Sequence, residues 1–225
     1  MTEQIAFRGI RKVIADRMSQ SLRSTAQLTY HASADVTAVM TALPTWKAEG
    51  RKAGLQDCLL HALTSALTRH GLLNATSDET SYTLAEEVRI ALALSSPAGL
   101  VTPVLPPLAG LTLEEIATAR RSIVARAMAG ELKVGDYKGG TFTLSNLGLT
   151  AVEYFTPILN APQVAILGIG KVVETITLDS DGRPLQCRKL PLSLTADHRV
   201  VDGDPAGQFL TDLVRGLQGT NWPVA

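Results

Sequence analysis

Ala196-Asp197-His198-Arg199-Val200-Val201-Asp202-Gly203 decides how the rest of this chain is read. It sets an imidazole and a carboxylate four residues apart, between an apolar strand pattern and a helix start. Histidine is the side chain best suited to moving protons near neutral pH. Upstream, Leu192-Ser-Leu-Thr-Ala196 predicts a strand, so His198 leaves a strand end, where mixed sheets place reacting groups. Downstream, a helix is expected from near Asp204, with Pro205 at its permitted first position and Phe209, Leu210, Leu213 and Leu217 on one face. Each residue also has a structural explanation. A lone histidine more often satisfies a buried hydrogen bond. Asp202 is placed to cap the helix, and Asp197 with Arg199 to form an ion-paired corner. Spacing and chemistry alone leave both accounts open.

Outward from this stretch the pattern is mixed. Val164-Ala-Ile-Leu-Gly-Ile-Gly170 is a continuous apolar run, the mark of a central strand buried on both faces. Val172 to Leu178 and Leu185 to Leu194 form strands joined by the turn Asp179-Ser-Asp-Gly182. Toward the N-terminus, Ile10, Val13, Ile14, Met18 and Leu22 fall at helical spacing and predict an amphipathic first helix. Leu28 to Ala34 alternates as a half-buried strand, and Asp35 is a cap for a helix from about Val36 that Pro44 should end or kink. Cys58, Leu59, Ala62, Leu63, Ala66 and Leu67 predict a buried helix stopped by Gly71. Val88–Leu94 and Leu100–Leu105 flank the turn Ser95-Ser-Pro-Ala-Gly99, and a helix runs from Thr112 to about Ala129. Thr141 to Ser145 follows the glycine pair Gly139-Gly140 as another strand. The expected fold is one α/β (α+β) domain over residues 1–225, a large mixed sheet covered by helices.

The 225 residues suffice for a sizeable core, and 45% are hydrophobic against 19% charged. Lys plus Arg and Asp plus Glu are each 21, so no net charge draws the chain to nucleic acid or an anionic membrane. No secretory leader pattern opens the chain and no apolar run approaches the roughly 20 residues of a spanning helix. Cys58 and Cys187 fall in core-like patterns, as expected of reduced thiols in a reducing compartment. These features lead to the expectation of a soluble, intracellular protein.

Ser145 sits in Gly139-Gly-Thr-Phe-Thr-Leu-Ser-Asn-Leu-Gly148, where a hydroxyl, an amide and backbone N–H groups suit an oxyanion. Its plainer explanation is a turn that satisfies its own backbone. The absence of a Gly-x-Ser-x-Gly elbow disfavours a hydrolase-type nucleophile. His31, His61 and His70 lack metal-ligand spacing, so no metal is expected, and Gly168-Ile-Gly170 lacks the remainder of a dinucleotide fingerprint.

Asp197-His-Arg-Val-Val-Asp-Gly203 resembles the active-site signature of the dihydrolipoamide acyltransferases, the cores of 2-oxo acid dehydrogenase complexes such as pyruvate dehydrogenase. Four more blocks agree in order: Gly9 to Met18, Gly99 to Val104, Gly140 to Gly148, and Phe155 to Gly168. The resemblance implies the fold shared with chloramphenicol acetyltransferase and acyl exchange between the thiols of dihydrolipoamide and coenzyme A. It implies a homotrimer with its site at subunit interfaces, or a larger cubic or dodecahedral core, located in the cytoplasm or, in a eukaryote, the mitochondrial matrix. Its implied partners are a lipoyl-bearing domain, a decarboxylase and dihydrolipoamide dehydrogenase, with coenzyme A as substrate and no metal. By motif position His198 matches the general base, Asp202 the residue that orders the site, and Ser145 the hydroxyl steadying the tetrahedral intermediate. Coenzyme-binding and channel-lining residues stay unassigned.

Ser145-Asn146-Leu147-Gly148 favours acetyl over succinyl transfer; a branched-chain acyl group or another small acceptor is the alternative, and a lapsed scaffold a second. Three departures from the family stand out. Ala26-Gln27 replaces Pro-His, Pro44 interrupts a helix, and neither a lipoyl domain nor a peripheral subunit-binding domain is recognised in the sequence.

Overall fold

The computed structural model describes residues 2–97, 99–219 and 222. Among these the elements run α1 (Gly9–Ser24), β1 (Gln27–Asp35), α2 (Thr37–Ala48), α3 (Leu55–Arg69), β2 (Ala75–Ser77), β3 (Tyr82–Leu84), β4 (Ile90–Ser96) and β5 (Gly99–Val101). They continue with α4 (Leu113–Ala129), β6 (Phe142–Asn146), β7 (Ala165–Ile169), β8 (Val173–Leu178), β9 (Pro184–Asp197) and α5 (Gly203–Gln218). The large sheet has the order β1-β9-β7-β6-β4-β5, with β8 pairing β9 off this path. β4, β6 and β7 are parallel neighbours; β9 is antiparallel to β1, β7 and β8.

The two faces of this sheet differ in chemistry. Leu190, Leu192, Leu194 and Ala196 of β9 join Leu167 and Ile169 of β7, Leu144 of β6 and Leu92 of β4 in one buried cluster. Leu59, Leu63 and Leu67 of α3 and Phe209, Leu213 and Leu217 of α5 complete it. Period-two alternation on strands meeting helical periodicity produces this layer. On the other face the rows carry Thr29 with Thr195, and His31 with Ser193, each cross-strand pair hydrogen-bonded.

Several expectations are met residue by residue. Thr112 and Glu115 form the capping box that opens α4, and Gly130 closes it with φ +72°. The β8–β9 turn places Gly182 at φ +78°, and Asp179 accepts from the amides of Asp181 and Arg183. Cys58 and Cys187 are both free and buried. No helix among the described residues is long and apolar enough to cross a membrane.

Others are corrected. Of the two outcomes expected of Pro44, an end or a kink, the first does not occur: α2 continues to Ala48. A proline there forfeits one helical bond, while Leu43 and Trp46 pack beside Val39, Cys58 and Leu113, which holds the last turn in place. The strand expected over Leu100–Leu105 stops at Val101, and Val104 returns only as an isolated bridge to Ala91, because Pro103 has no N–H to give a ladder. Asp35 ends β1 and is not the N-cap, which is Val36; its carboxylate accepts from the amide of Thr37, and α2 starts one residue later than expected. Pro205 is the third residue of α5, whose first is Gly203. The β2–β3 hairpin was not foreseen; its turn is organised by Asp78, which accepts from the amides of Thr80 and Ser81. The apolar stripe of α1 is also not covered by its own chain: Ile10, Val13 and Leu22 are each more than half exposed.

Gly170 ends β7 where the loop after β6 crosses it. A Cβ there would lie 1.8 Å from the carbonyl oxygen of Glu153, a backbone atom that cannot step aside. Gly170→Ala is therefore expected to cost about 3 kcal/mol or more, read as a fall in thermal midpoint with the far-ultraviolet spectrum retained.

Candidate active site

The end of β9 is fixed by a buried carboxylate. Asp197 is fully buried and pairs with Gln27 at the start of β1. Its side chain accepts from Arg199 Nη2 at 2.7 Å and Arg199 Nε at 3.0 and 3.1 Å, a two-pronged guanidinium contact. It also accepts from the amides of Ala26 and Arg199, both at 3.2 Å, and from the Ser77 hydroxyl at 3.3 Å. Burial pushes this carboxyl upward, but the Arg199 and amide hydrogen bonds outweigh it and hold it below its ordinary 3.8. The ion-paired corner is real, and β2 contributes Ser77 to it, a residue that sequence alone did not single out.

That corner positions His198. Its amide donates to Ala26 O at 2.8 Å, while Asp197 O accepts from Val200 and Val201 at 2.9 and 3.0 Å. Gripped on both sides, the turn projects the imidazole outward, with 42% of the side chain exposed. Nδ1 lies 3.5 Å from Asp202 Oδ1, an electrostatic approach longer than a good hydrogen bond. Asp202 is the N-cap residue of α5, yet its side chain makes no cap bond. The third residue of that helix is Pro205, which has no N–H for a cap to accept. Asp202 is thus released from capping and faces the imidazole instead. With Nδ1 turned to a carboxylate, Nε2 is left with the lone pair a general base needs.

Ser145 is not brought to them within the chain. It lies on β6 in a row that continues through Gly168 of β7 and Ser193 of β9 to His31 of β1. His198 is five residues beyond Ser193 along β9, so strand spacing puts it about 20 Å from Ser145. The Ser145 hydroxyl makes no hydrogen bond among the described residues and is available as a donor. Phe155 closes the row beside it: a Cβ on Gly168 would meet the Phe155 ring at 2.6 Å. Two residues back along β6, Thr143 donates to Gln163 at 2.5 Å and accepts from Asn160 at 3.2 Å. Gly148 N donates to Asn146 Oδ1 at 2.7 Å, so Asn146 shapes the loop and Ser145 faces outward alone.

The remaining sequence candidates have structural roles. Gln27 clamps three segments: its amide nitrogen donates to Ser21 and Thr25, and its oxygen accepts from Leu159 N. His70 meets Asp212 at 2.9 Å and edges onto Phe209, and burial pushes the His61 imidazole downward. His31 meets Ser193 at 3.0 Å with Tyr154 edge-on.

The profile of the family described as 2-oxoacid dehydrogenases acyltransferase (catalytic domain) matches residues 1–222. The dihydrolipoyllysine-residue acetyltransferase component of the acetoin cleaving system of Bacillus subtilis is 37% identical over 213 residues, covering 92% of this chain and 53% of that protein. The chain spans about half the length of the curated relatives it matches. Among solved structures, the dihydrolipoamide acetyltransferase of Azotobacter vinelandii was investigated for a serine, a histidine and an asparagine in its catalytic mechanism. It superposes with a TM-score of 0.90 at 27% identity, covering 97% of this chain and 92% of that one. The cubic core of a pyruvate dehydrogenase multienzyme complex gives 0.88 at 27% identity, covering 97% and 92%. A chloramphenicol acetyltransferase gives 0.60 at 16% identity over 96% of this chain and all of that one, a likeness of fold.

The depressed Asp197 carboxyl stabilises the fold above its ordinary 3.8, and that contribution is lost as pH falls through its lower folded value. Asp197→Asn is expected to cost about 3 kcal/mol, the lower end for a broken buried pair, because Arg199 is 36% exposed. Thermal midpoints followed from neutral to acid pH should fall less steeply for the variant than for the parent below about pH 4.

Proposed function

The chain belongs to the 2-oxoacid dehydrogenases acyltransferase (catalytic domain) family, and from that premise we propose that it carries an acyl group between dihydrolipoamide and coenzyme A. Acetyl is the preferred group, supported by the acetyltransferase relatives and by Ser145-Asn146-Leu147-Gly148. The observation that carries the reading is His198, held by a locked turn with Nδ1 toward Asp202 and the other ring nitrogen free.

In the proposed reaction the coenzyme A thiol attacks the carbonyl carbon of acyl-dihydrolipoamide. A free thiol, with a pKa of about 8.5, is mostly protonated at neutrality, so His198 Nε2 takes the proton as the carbon–sulfur bond forms. The carbonyl π pair moves onto oxygen, and the Ser145 hydroxyl donates to that oxyanion. Collapse restores the carbonyl and breaks the bond to the lipoyl sulfur, which receives the proton from the imidazolium. Atoms and charge balance without redox change. Asp202 stabilises the transient cation on Nδ1.

About 20 Å between His198 and Ser145 on one chain rules out their meeting within it. We therefore assign the site to the boundary between copies, His198 and Asp202 from one and Ser145 from the next. The uncovered stripe Ile10, Val13 and Leu22 on α1 supports such association, and likeness to a cubic core supports a larger assembly. The lipoyl group is proposed to arrive on a separate domain, with decarboxylase and dihydrolipoamide dehydrogenase as the other components.

Acetyl transfer from acetyl-CoA to free dihydrolipoamide tests the reaction. His198→Ala is expected to lose about 10²–10⁴-fold in turnover and Ser145→Ala about 10²–10³-fold. Co-assembling the two inactive variants should restore about one quarter of parental activity, the fraction of boundaries pairing an intact His198 with an intact Ser145. No recovery in a mixed assembly would overturn the shared site.

A further inference from the structure

Tyr30 stands in the middle of β1, opposite Leu194 of β9, with its ring against the helix-covered face of the sheet. Its hydroxyl is buried and has no hydrogen-bond partner. An orphaned buried hydroxyl costs about 1–3 kcal/mol, so a phenol is retained there at a loss that phenylalanine would avoid. The hydroxyl points at the first turn of α5: a Cβ built on Gly203 would lie 4.0 Å from both Tyr30 Cε1 and the hydroxyl oxygen. The residue before Gly203 is Asp202. Burial, and after it the negative charge of Asp202, push the Tyr30 phenol upward, which sets that carboxylate as the charge this hydroxyl feels.

Asp202 itself is loosely held. Its side chain is 82% exposed, makes no cap bond, and reaches His198 Nδ1 only at 3.5 Å. A carboxylate in that state orients an imidazole poorly, since positioning within about 0.5 Å matters to a catalytic pair. The chain thus holds a buried donor without an acceptor beside an acceptor without an anchor.

We propose that Tyr30 is a positioning residue of the acyl-transfer site: when the Asp202 side chain, not bonded to the phenol in this structure, turns onto it, the Tyr30 hydroxyl donates to the carboxylate and anchors Asp202 against His198 Nδ1. This rests on the reaction assigned above. One carboxylate oxygen accepts from the phenol and the other from Nδ1–H, which fixes the ring with Nε2 toward the thiol. Burial of the phenol keeps water from competing for the bond. The arrangement differs from a cap or a core contact in one respect: its worth is felt only through Asp202.

The experiment is a double-mutant cycle on the assembled protein, with acetyl-CoA and free dihydrolipoamide as substrates. Tyr30→Phe keeps the packed ring and is expected to lower kcat about tenfold, the size of one hydrogen bond to a charged group. KM for both thiols should stay within about twofold, and Tyr30→Phe added to Asp202→Ala should cost nothing further. A parental kcat in Tyr30→Phe, or losses that simply multiply in the double variant, would overturn the inference. A second measurement does not depend on turnover. The tyrosinate absorbance that disappears in Tyr30→Phe should titrate at lower pH in Asp202→Asn, and no movement would equally overturn the pairing. Absence of acetyl transfer in the parent protein would overturn the assigned reaction, with the pairing then decided by the titration.

Discussion

A single buried carboxylate ties this fold together at the point where it matters for chemistry. Asp197 closes the longest strand, β9, and its oxygens gather the start of β1, the hydroxyl of β2 and the guanidinium of Arg199. A buried anion is costly unless several donors compensate it, and here the donors come from segments far apart in sequence. The charge therefore acts as a demand on the fold: those segments must converge, or the carboxylate is stranded. The His198 turn inherits its rigidity from that demand.

The sheet then divides the labour of the chain. One face is aliphatic and is sealed by α3, α4 and α5. The other is more polar, with Ser145, Gly168 and Ser193 in one row and Thr143 and Thr195 on either side of Ile166 in the next. Thr143, Ser193 and Thr195 are buried there, with Phe155, Asn160 and Gln163 of the segment before β7 packed or hydrogen-bonded onto this face. The imidazole and the serine hydroxyl belong to different ends of that surface, so in the proposed shared site association between copies would bring chemistry as well as stability.

Much of this was legible in the sequence because the signals were local. The apolar run at Val164, the capping box at Thr112 and the turn at Asp179 each specify their element through near neighbours, and each was found where expected. The signature around His198 located the candidate site, and its acid partner is adjacent in space as well as in sequence. What escaped was non-local. Pro44 survives inside α2 because Leu43 and Trp46 pack onto residues from α3 and α4. Gln27, a departure from the family pattern, turned out to be a clamp among Ser21, Thr25 and Leu159, contacts that no periodicity encodes. Tyr30 reads as an ordinary strand aromatic until the first turn of α5 is placed beside its hydroxyl.

The two cysteines acquire a meaning of their own in this setting. Under the proposed acyl transfer, any reactive thiol of the chain itself would compete for the acyl group, and only the thiolate is reactive. Cys58, packed under α2 and α4, has its thiol pushed up to about 12 by burial and by the charge of Asp57. Cys187 is also buried, its sulfur 3.1 Å from the Thr177 hydroxyl. Burial thus withdraws the chain's own sulfur from the surface, and in the proposed reaction the activated thiol is a guest's.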